Sequence, residues 1–293
     1  MKKFFKSAAI VVGAGLLFLF CSCLPKKEKL PPRLKLVTSM PLIYDWARNI
    51  IDENTNTSLY LSLIVKAGIN YHNFIPSEPE KASIQTADLF IYVGGSTEAW
   101  AQELAGEKSL RLADFCGDDS HSLLSPKMAM ECCKQICEQI CLLDPANSQS
   151  YRKNCDNYLA QLELLDQAYT MGSQNVKDKT FIICDRFPFK SLFEEYKINY
   201  ISACEDCPAP ASFKKPDPSL AQMLGSKIDQ LGAPAVYVME DSDKKLAKSA
   251  IGYSKNPKCD TLILDSFEST NLSQLFSGKN YINVMQSNLT LLH

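Results

Sequence analysis

Strand-like and helix-like segments alternate along this chain in two successive series. Short apolar runs between turns are typical of buried strands, and apolar side chains spaced three or four residues apart are typical of helices. The first series begins with a strand at 34–38 and a helix at 41–52, and the second with a strand at 180–184 and a helix at 189–196. This alternation predicts two α/β lobes, each with a mostly parallel sheet flanked by helices.

The other predicted strands are also short and apolar. They cover 58–65, 88–93, 110–115, 199–202, 235–240 and 261–265. From residue 145 the helical pattern continues to about residue 168, which predicts a long rigid helix between the lobes. Ligands of parallel sheets bind beyond the carboxyl ends of the strands, so we expect the site in the cleft between the lobes.

The N-terminus has the pattern of an export signal. Lys2, Lys3 and Lys6 precede an apolar run at 7–20 that is too short for a comfortable membrane span. Ser22 followed by Cys23 resembles a bacterial lipobox, which predicts lipidation at Cys23; the alternative is an ordinary signal anchor. We therefore expect a signal peptide at 1–22, a tether at 23–33, an N-terminal lobe at 34–144, a linking backbone helix at 145–172 and a C-terminal lobe at 173–293.

Charge and histidine content restrict the possible functions. The 293 residues carry a formal net charge of −2, so the chain lacks the basic surface that nucleic-acid binding requires, and we expect no nucleic-acid partner. There are 12 Cys but only 3 His. A site that needs several imidazoles therefore has few candidates, and one of the three, His293, is the last residue.

Potential metal ligands follow the predicted strands. His72 and His121 belong to the N-terminal lobe, while Cys184 and Asp265 end strands of the C-terminal lobe. Nitrogen and sulfur ligands favour Zn²⁺, and a larger share of oxygen shifts the preference toward Mn²⁺. Spacing alone does not bring these residues together, and for each His the alternative is an ordinary loop histidine.

Several segments resemble motifs of one known family, the cluster A-I solute-binding proteins, which are metal-binding lipoproteins of bacterial zinc and manganese ABC importers. The resemblance extends from residue 34 to residue 292. Residues 71–77 look like the motif of the first ligand, here His72, and residues 119–126 like that of the second, here His121. Residues 262–266 are similar to the strand that ends in the last ligand, here Asp265.

The third ligand of that family is usually His or Glu, and this chain differs there. The corresponding segment begins Cys184-Asp185-Arg186. Cys184 could act as a thiolate ligand, which would favour zinc, and Asp185 could supply an oxygen or pair with Arg186. Cys184 could equally be a small buried apolar residue.

The resemblance implies a receptor and not an enzyme. It would capture Zn²⁺, or less readily Mn²⁺, outside the cytoplasm and deliver the ion to an ABC permease of the membrane. We expect a monomer that is anchored to the membrane by the N-terminal lipid. The alternative function is a surface adhesin or host-interaction lipoprotein that has kept this fold with a degenerate metal site.

The remaining cysteines fall into two groups. Cys204 and Cys207 form a CxxC motif in a predicted loop, and a local disulfide is one possibility for them. Cys133, Cys137 and Cys141 share one face of a predicted helix. Thiols one turn apart on the same helix have poor geometry for a disulfide, so we interpret this face as packing.

Overall fold

A computed structural model describes residues 33–53, 56–65, 74–95, 98–204 and 217–292. The predicted signal peptide, Cys23, His72 and Cys207 lie outside these residues. Within the described ranges, no helix combines the length and the hydrophobicity that are needed to cross a bilayer.

The described strands form two parallel sheets of four strands each. They are β1 (Leu34–Thr38), β2 (Leu59–Leu63), β3 (Leu89–Tyr92), β4 (Ser109–Arg111), β5 (Thr180–Ile183), β6 (Asn199–Ser202), β7 (Ala235–Met239) and β8 (Asp260–Leu264). The N-terminal lobe has the strand order β2-β1-β3-β4, and the C-terminal lobe has the order β6-β5-β7-β8. Every residue of β3 and β7 is buried, as expected for central strands with helices on both faces. The predicted fold class is confirmed.

Helices connect these strands. The described α-helices are α1 (Pro41–Ile51), α2 (Glu78–Gln85), α3 (Ala99–Leu104), α4 (Ala113–Cys116), α5 (Pro126–Leu143), α6 (Ser148–Asn175), α7 (Lys190–Glu195), α8 (Pro218–Leu231), α9 (Lys245–Tyr253), α10 (Leu272–Phe276) and α11 (Tyr281–Leu291). Two 3₁₀ turns, Ser120–Leu124 and Pro145–Asn147, precede α5 and α6.

The long helix α6 packs against both lobes. Its buried residues recur every three or four positions and therefore share one face of the helix. They are Tyr151, Cys155, Tyr158, Leu162, Leu165, Tyr169 and Gly172. It contacts α1 and α5 of the N-terminal lobe and α11 of the C-terminal lobe. The Tyr169 hydroxyl donates a 2.8 Å hydrogen bond to the Met285 carbonyl of α11. A helix that packs with one face against both lobes restrains the movement of one lobe against the other.

The prediction of a strand at 110–115 is wrong in its second half. The amides of Leu112 and Ala113 still donate to carbonyls of the β3 segment, at 2.9 Å each. The backbone then closes a helical turn, in which the Gly117 amide bonds to the Ala113 carbonyl at 2.9 Å. Gly117 has φ 80°, a conformation that glycine adopts readily, and it ends α4. The segment that carries His121 therefore starts from a helix end.

Candidate metal centre

A small cavity lies between the lobes at the ends of their strands. Its volume is about 20 Å³, which is room for one water-sized species. Three segments surround it: the start of α1, the 3₁₀ turn before α5, and the loop between β8 and α10. The lining residues are Met40, Pro41, Leu42, Ser120, His121, Leu124, Ser266, Phe267 and Glu268.

Asp119 fixes the orientation of the His121 imidazole. The Asp119 carboxylate accepts from the His121 backbone amide at 3.0 Å, which caps the 3₁₀ turn, and the same Oδ1 lies 3.1 Å from His121 Nδ1. These contacts lower the pKa of Asp119 to about 2, with the imidazole hydrogen bond as the main cause. A neutral imidazole that donates from Nδ1 keeps the lone pair of Nε2 for a metal ion.

Glu268 faces His121 across the cavity. Glu268 Oε1 lies 3.2 Å from His121 Nε2, and the two side chains are only 17% and 14% exposed. The other carboxylate oxygen, Oε2, accepts from Arg186 Nη1 at 2.7 Å. Arg186 also donates to Asp241 at 3.0 Å, so its guanidinium holds two acidic residues at the cleft.

A half-buried carboxylate shapes the loop that carries Glu268. Glu240 accepts from the Ser266 amide at 2.9 Å, from the Ser266 hydroxyl at 2.8 Å and from the Ser269 hydroxyl at 3.2 Å. Burial raises the pKa of Glu240, and the nearby Asp265 adds to this increase. Glu240 thus holds Ser266 and Ser269, which lie before and after Glu268 in the chain.

Two of the predicted oxygen donors are engaged elsewhere. Asp265 Oδ2 lies 2.6 Å from Lys279 Nζ, and its Oδ1 accepts from the Phe267 amide at 2.8 Å. Asp185 accepts from the backbone amides of Arg186 and Met239, at 2.8 and 3.2 Å. Asp185 therefore ties the end of β5 to β7, while the Arg186 guanidinium donates to Glu268 and Asp241. As a metal ligand, Asp265 remains a prediction.

Cys184 lies in the apolar core of the C-terminal lobe. It is 2% exposed and packs with Ile182, Leu224, Val236 and other residues of the cluster between the sheet and α8 and α9. Burial raises the pKa of its thiol to about 12, so the thiolate form that binds metals is disfavoured. The structure does not place Cys184 on the cavity, and its role as a ligand stays a prediction.

Two further predictions concern cysteines, namely the packing of one helical face and the disulfide of the CxxC motif. The helical face of Cys133, Cys137 and Cys141 is buried in the main core, as expected. Cys204 lies just after β6, where its amide bonds to the Ser202 hydroxyl at 3.2 Å. Its suggested disulfide partner, Cys207, is outside the described residues, so that pairing stays a prediction.

Glu268 is a site residue that the sequence reasoning missed, and Arg186 was considered there only as a partner of Asp185. Glu268 comes three residues after Asp265, so a search for every carboxylate after β8 would have included it. Among the described residues, no group of three or more His, Cys, Asp or Glu side chains is arranged to hold a metal ion. His72, the other predicted imidazole, belongs to the segment that the structure leaves undescribed.

Two parallel-sheet lobes joined by a long helix, with a small cavity between them, are the architecture of a two-lobed binding protein. The chain belongs to the family described as the periplasmic component A of the zinc-uptake complex, which it matches over residues 36–293.

Two relatives are similar to this chain in sequence, and one solved structure is similar to it in fold. The high-affinity zinc uptake system protein ZnuA of Bacillus subtilis is 25% identical over 295 residues, covering 89% of this chain and 86% of that protein. The zinc-binding lipoprotein AdcA of Streptococcus pneumoniae is 24% identical over 309 residues; the match covers 95% of this chain but only 59% of AdcA. The crystal structure of the metal-dependent lipoprotein YcdH from Bacillus subtilis superposes with a TM-score of 0.74 at 24% identity, covering 89% of this chain and 98% of that one.

Proposed function

We propose that this protein is an extracytoplasmic receptor that binds one Zn²⁺ between its lobes and delivers it to an ABC permease. The family and the names of the relatives support zinc as the ion, with Mn²⁺ as the alternative. They do not favour the adhesin alternative. In this proposal the protein works as a monomer, performs no catalysis and is held at the membrane by a lipid on Cys23.

The observation that carries the proposal is the distance between His121 Nε2 and Glu268 Oε1, which is 3.2 Å. Zinc binds imidazole nitrogen and carboxylate oxygen at about 2.0–2.2 Å, and a tetrahedral angle then separates two such donors by about 3.3 Å. The pair therefore has the spacing of one edge of a zinc tetrahedron. One donor comes from each lobe, so a bound ion would join the lobes.

His72 is the second imidazole in the proposed ligand set. The chain leaves β2 next to β1, where the amides of Ile64 and Val65 bond to the carbonyls of Thr38 and Ser39. In a parallel sheet this is the same edge from which the segment of His121 departs after β4. The proposed ligands are thus His72, His121 and Glu268, with Asp265 and Cys184 to be tested as further ligands.

Zinc titration of single variants tests this assignment. The wild-type chain should hold one zinc per molecule by elemental analysis and compete with a chromophoric chelator. His72→Ala, His121→Ala and Glu268→Gln should each weaken zinc binding by more than about 100-fold, because even outer-shell partners of a metal site are worth about 10–100-fold. Glu78→Gln, on the exposed first turn of α2, is the matched control and should bind zinc normally.

Each result has a definite meaning. Unchanged zinc affinity in the double variant His72→Ala, His121→Ala would refute the site. If Asp265→Asn or Cys184→Ser loses zinc affinity while Glu268→Gln keeps it, the substituted residue and not Glu268 is a zinc ligand. Purified wild-type protein without stoichiometric zinc or manganese would support the adhesin alternative.

A further inference from the structure

A second and much larger cavity lies at the other end of α1 from the candidate metal centre. Its volume is about 410 Å³, which is within the range of small-molecule sites. Its walls come from the last turn of α1, the first half of α6 and the segment of α10, so both lobes contribute to it. It shares no lining residue with the cavity that contains His121.

The amide side chains on the walls of this cavity are oriented by the helix backbones. The amide nitrogen of Asn49 donates to the Asp45 carbonyl at 2.7 Å, and that of Asn154 donates to the Ile50 carbonyl at 3.1 Å. Gln161 donates in the same way to a backbone carbonyl one turn earlier in α6, at 3.3 Å. Because each nitrogen is directed to a backbone carbonyl, the amide oxygen is turned away from it. The walls therefore offer hydrogen-bond acceptors.

The charges on the walls are mainly negative. Asp52 and Glu53, directly after α1, both line the cavity. The C-terminal end of a helix adds a partial negative charge at the same place. The positive charge of Arg48 is opposed by Asp45 at 2.8 Å, and its guanidinium also donates to two carbonyls of the C-terminal lobe. A cation with several N–H donors fits these walls better than an anion does.

The size and the aromatic residues of the cavity favour an organic cation over a metal ion. Carboxylate and amide oxygens also bind Ca²⁺, but a volume of 410 Å³ far exceeds that of one ion. Phe276 is 64% exposed at the rim, so its ring is available to an aliphatic chain or an ammonium group. Tyr158, only 4% exposed, also lines the cavity, and its hydroxyl forms no hydrogen bond of ordinary geometry with a described residue.

We propose that this cavity is a second ligand site, which binds a small organic cation of the size and chemistry of a linear diamine or triamine. The ammonium groups of the ligand donate to the carboxylates of Asp52 and Glu53 and to the amide oxygens of the walls. Its aliphatic chain lies against Phe276. This site is separate from the proposed zinc site and does not depend on it.

Calorimetric titration of the purified protein with spermidine tests the proposal. We expect saturable binding of one spermidine per chain in about 0.15 M salt, where charges more than about 8 Å apart are largely screened. Asp52→Asn should weaken this binding about tenfold or more, because it removes a charged hydrogen-bond partner. Asn also adopts the φ of 51° that Asp52 has, so the turn is retained.

Two further variants complete the test. Asp178→Asn is the matched control, because it makes the same change of charge at an exposed residue beyond the end of α6. It should bind spermidine normally. Asn157→Trp places a large side chain in the cavity from an exposed position of α6 and should abolish binding. This variant decides the question if Asp52→Asn fails to fold.

Four results would overturn the proposal. The first is the absence of saturable binding to the wild-type protein, and the second is an equal loss of affinity in Asp52→Asn and Asp178→Asn, which indicates general attraction to an acidic surface. The third is a loss of spermidine binding in His121→Ala, which would place the ligand in the metal cleft. The fourth is a response to CaCl₂ that Asp52→Asn removes, without any response to spermidine, because the site would then hold a metal ion.

Discussion

Replacing Arg48 by Met should destabilise the protein strongly, and more so at alkaline pH. Arg48 in α1 pairs with the buried Asp45 at 2.8 Å. It also donates to two backbone carbonyls of the C-terminal lobe, Leu275 at 2.7 Å and Lys279 at 3.1 Å. The other oxygen of Asp45 accepts from the Tyr281 amide at 2.9 Å. Arg48 and Asp45 together therefore connect the two lobes.

The size of the effect follows from the burial of Asp45, which is 0% exposed. Removing one partner of a buried ion pair typically costs about 3–5 kcal/mol, because the other charge is left without compensation. At pH 8 Asp45 is ionised in the wild-type protein, so the variant loses a charged pair there. The unpaired carbonyls of Leu275 and Lys279 account for about 1–3 kcal/mol, and this part does not depend on pH.

The pH dependence comes from Asp45. Burial raises its pKa from 3.8 to about 6, and Arg48 opposes this increase. Between about pH 4 and 6 the folded state binds more protons than the unfolded state, so the free energy of unfolding falls as the pH rises through this range. In Arg48→Met the opposing charge is lost and the pKa of Asp45 rises further. At pH 5 the carboxyl is mostly neutral in both proteins, so the variant should lose only about 1–3 kcal/mol.

Urea unfolding at pH 5 and pH 8, monitored by circular dichroism, measures the free energy of unfolding that Arg48→Met loses at each pH. The control is Lys81→Met in the exposed pair with Glu78, whose oxygen lies 2.8 Å from Lys81 Nζ. This variant should change the free energy of unfolding by less than about 1 kcal/mol at either pH. Equal destabilisation of Arg48→Met at pH 5 and pH 8 would refute the argument from the buried carboxylate.

Three further variants probe other parts of the molecule. Asp119→Asn should weaken zinc binding about 10–100-fold in the chelator competition, because it removes the carboxylate that orients His121. Gly225→Ala should cost about 1–3 kcal/mol in urea unfolding, since the added methyl carbon would lie 2.7 Å from a backbone oxygen of α9. Leu162→Ala should cost about 2–5 kcal/mol, because it leaves a cavity beside α6. Leu164→Ala, at a residue that is 66% exposed, should cost less than about 0.5 kcal/mol.

Part of the candidate site could be predicted, and part depended on one backbone turn. His121 was selected by its position after a predicted strand together with the resemblance of residues 119–126 to a ligand motif. Asp265 and Glu268 both follow β8, and the sequence does not show which one faces the cavity. Phe267 has φ 68°, a conformation that a residue with a bulky side chain adopts rarely. This turn lies between the two carboxylates, and Glu268 beyond it reaches His121 while Asp265 contacts Lys279.

The position of Cys184 was open to prediction from strand periodicity. Side chains two residues apart along a strand lie on the same face of the sheet. Ile182 and Cys184 therefore share a face, and both belong to the apolar cluster of the C-terminal lobe. Ile183, which points the other way, belongs to the main core.

The sequence by itself determined the order of strands and helices, because hydrophobic periodicity is a local property that acts within a few residues. Only the tertiary structure decided which distant side chains meet. His121 and Glu268 come from different lobes, and so do Arg48 and the Leu275 carbonyl that it contacts. Their proximity results from the packing of whole helices and sheets against one another. A local pattern does not encode that packing, since each such contact depends on every element that lies between the two residues.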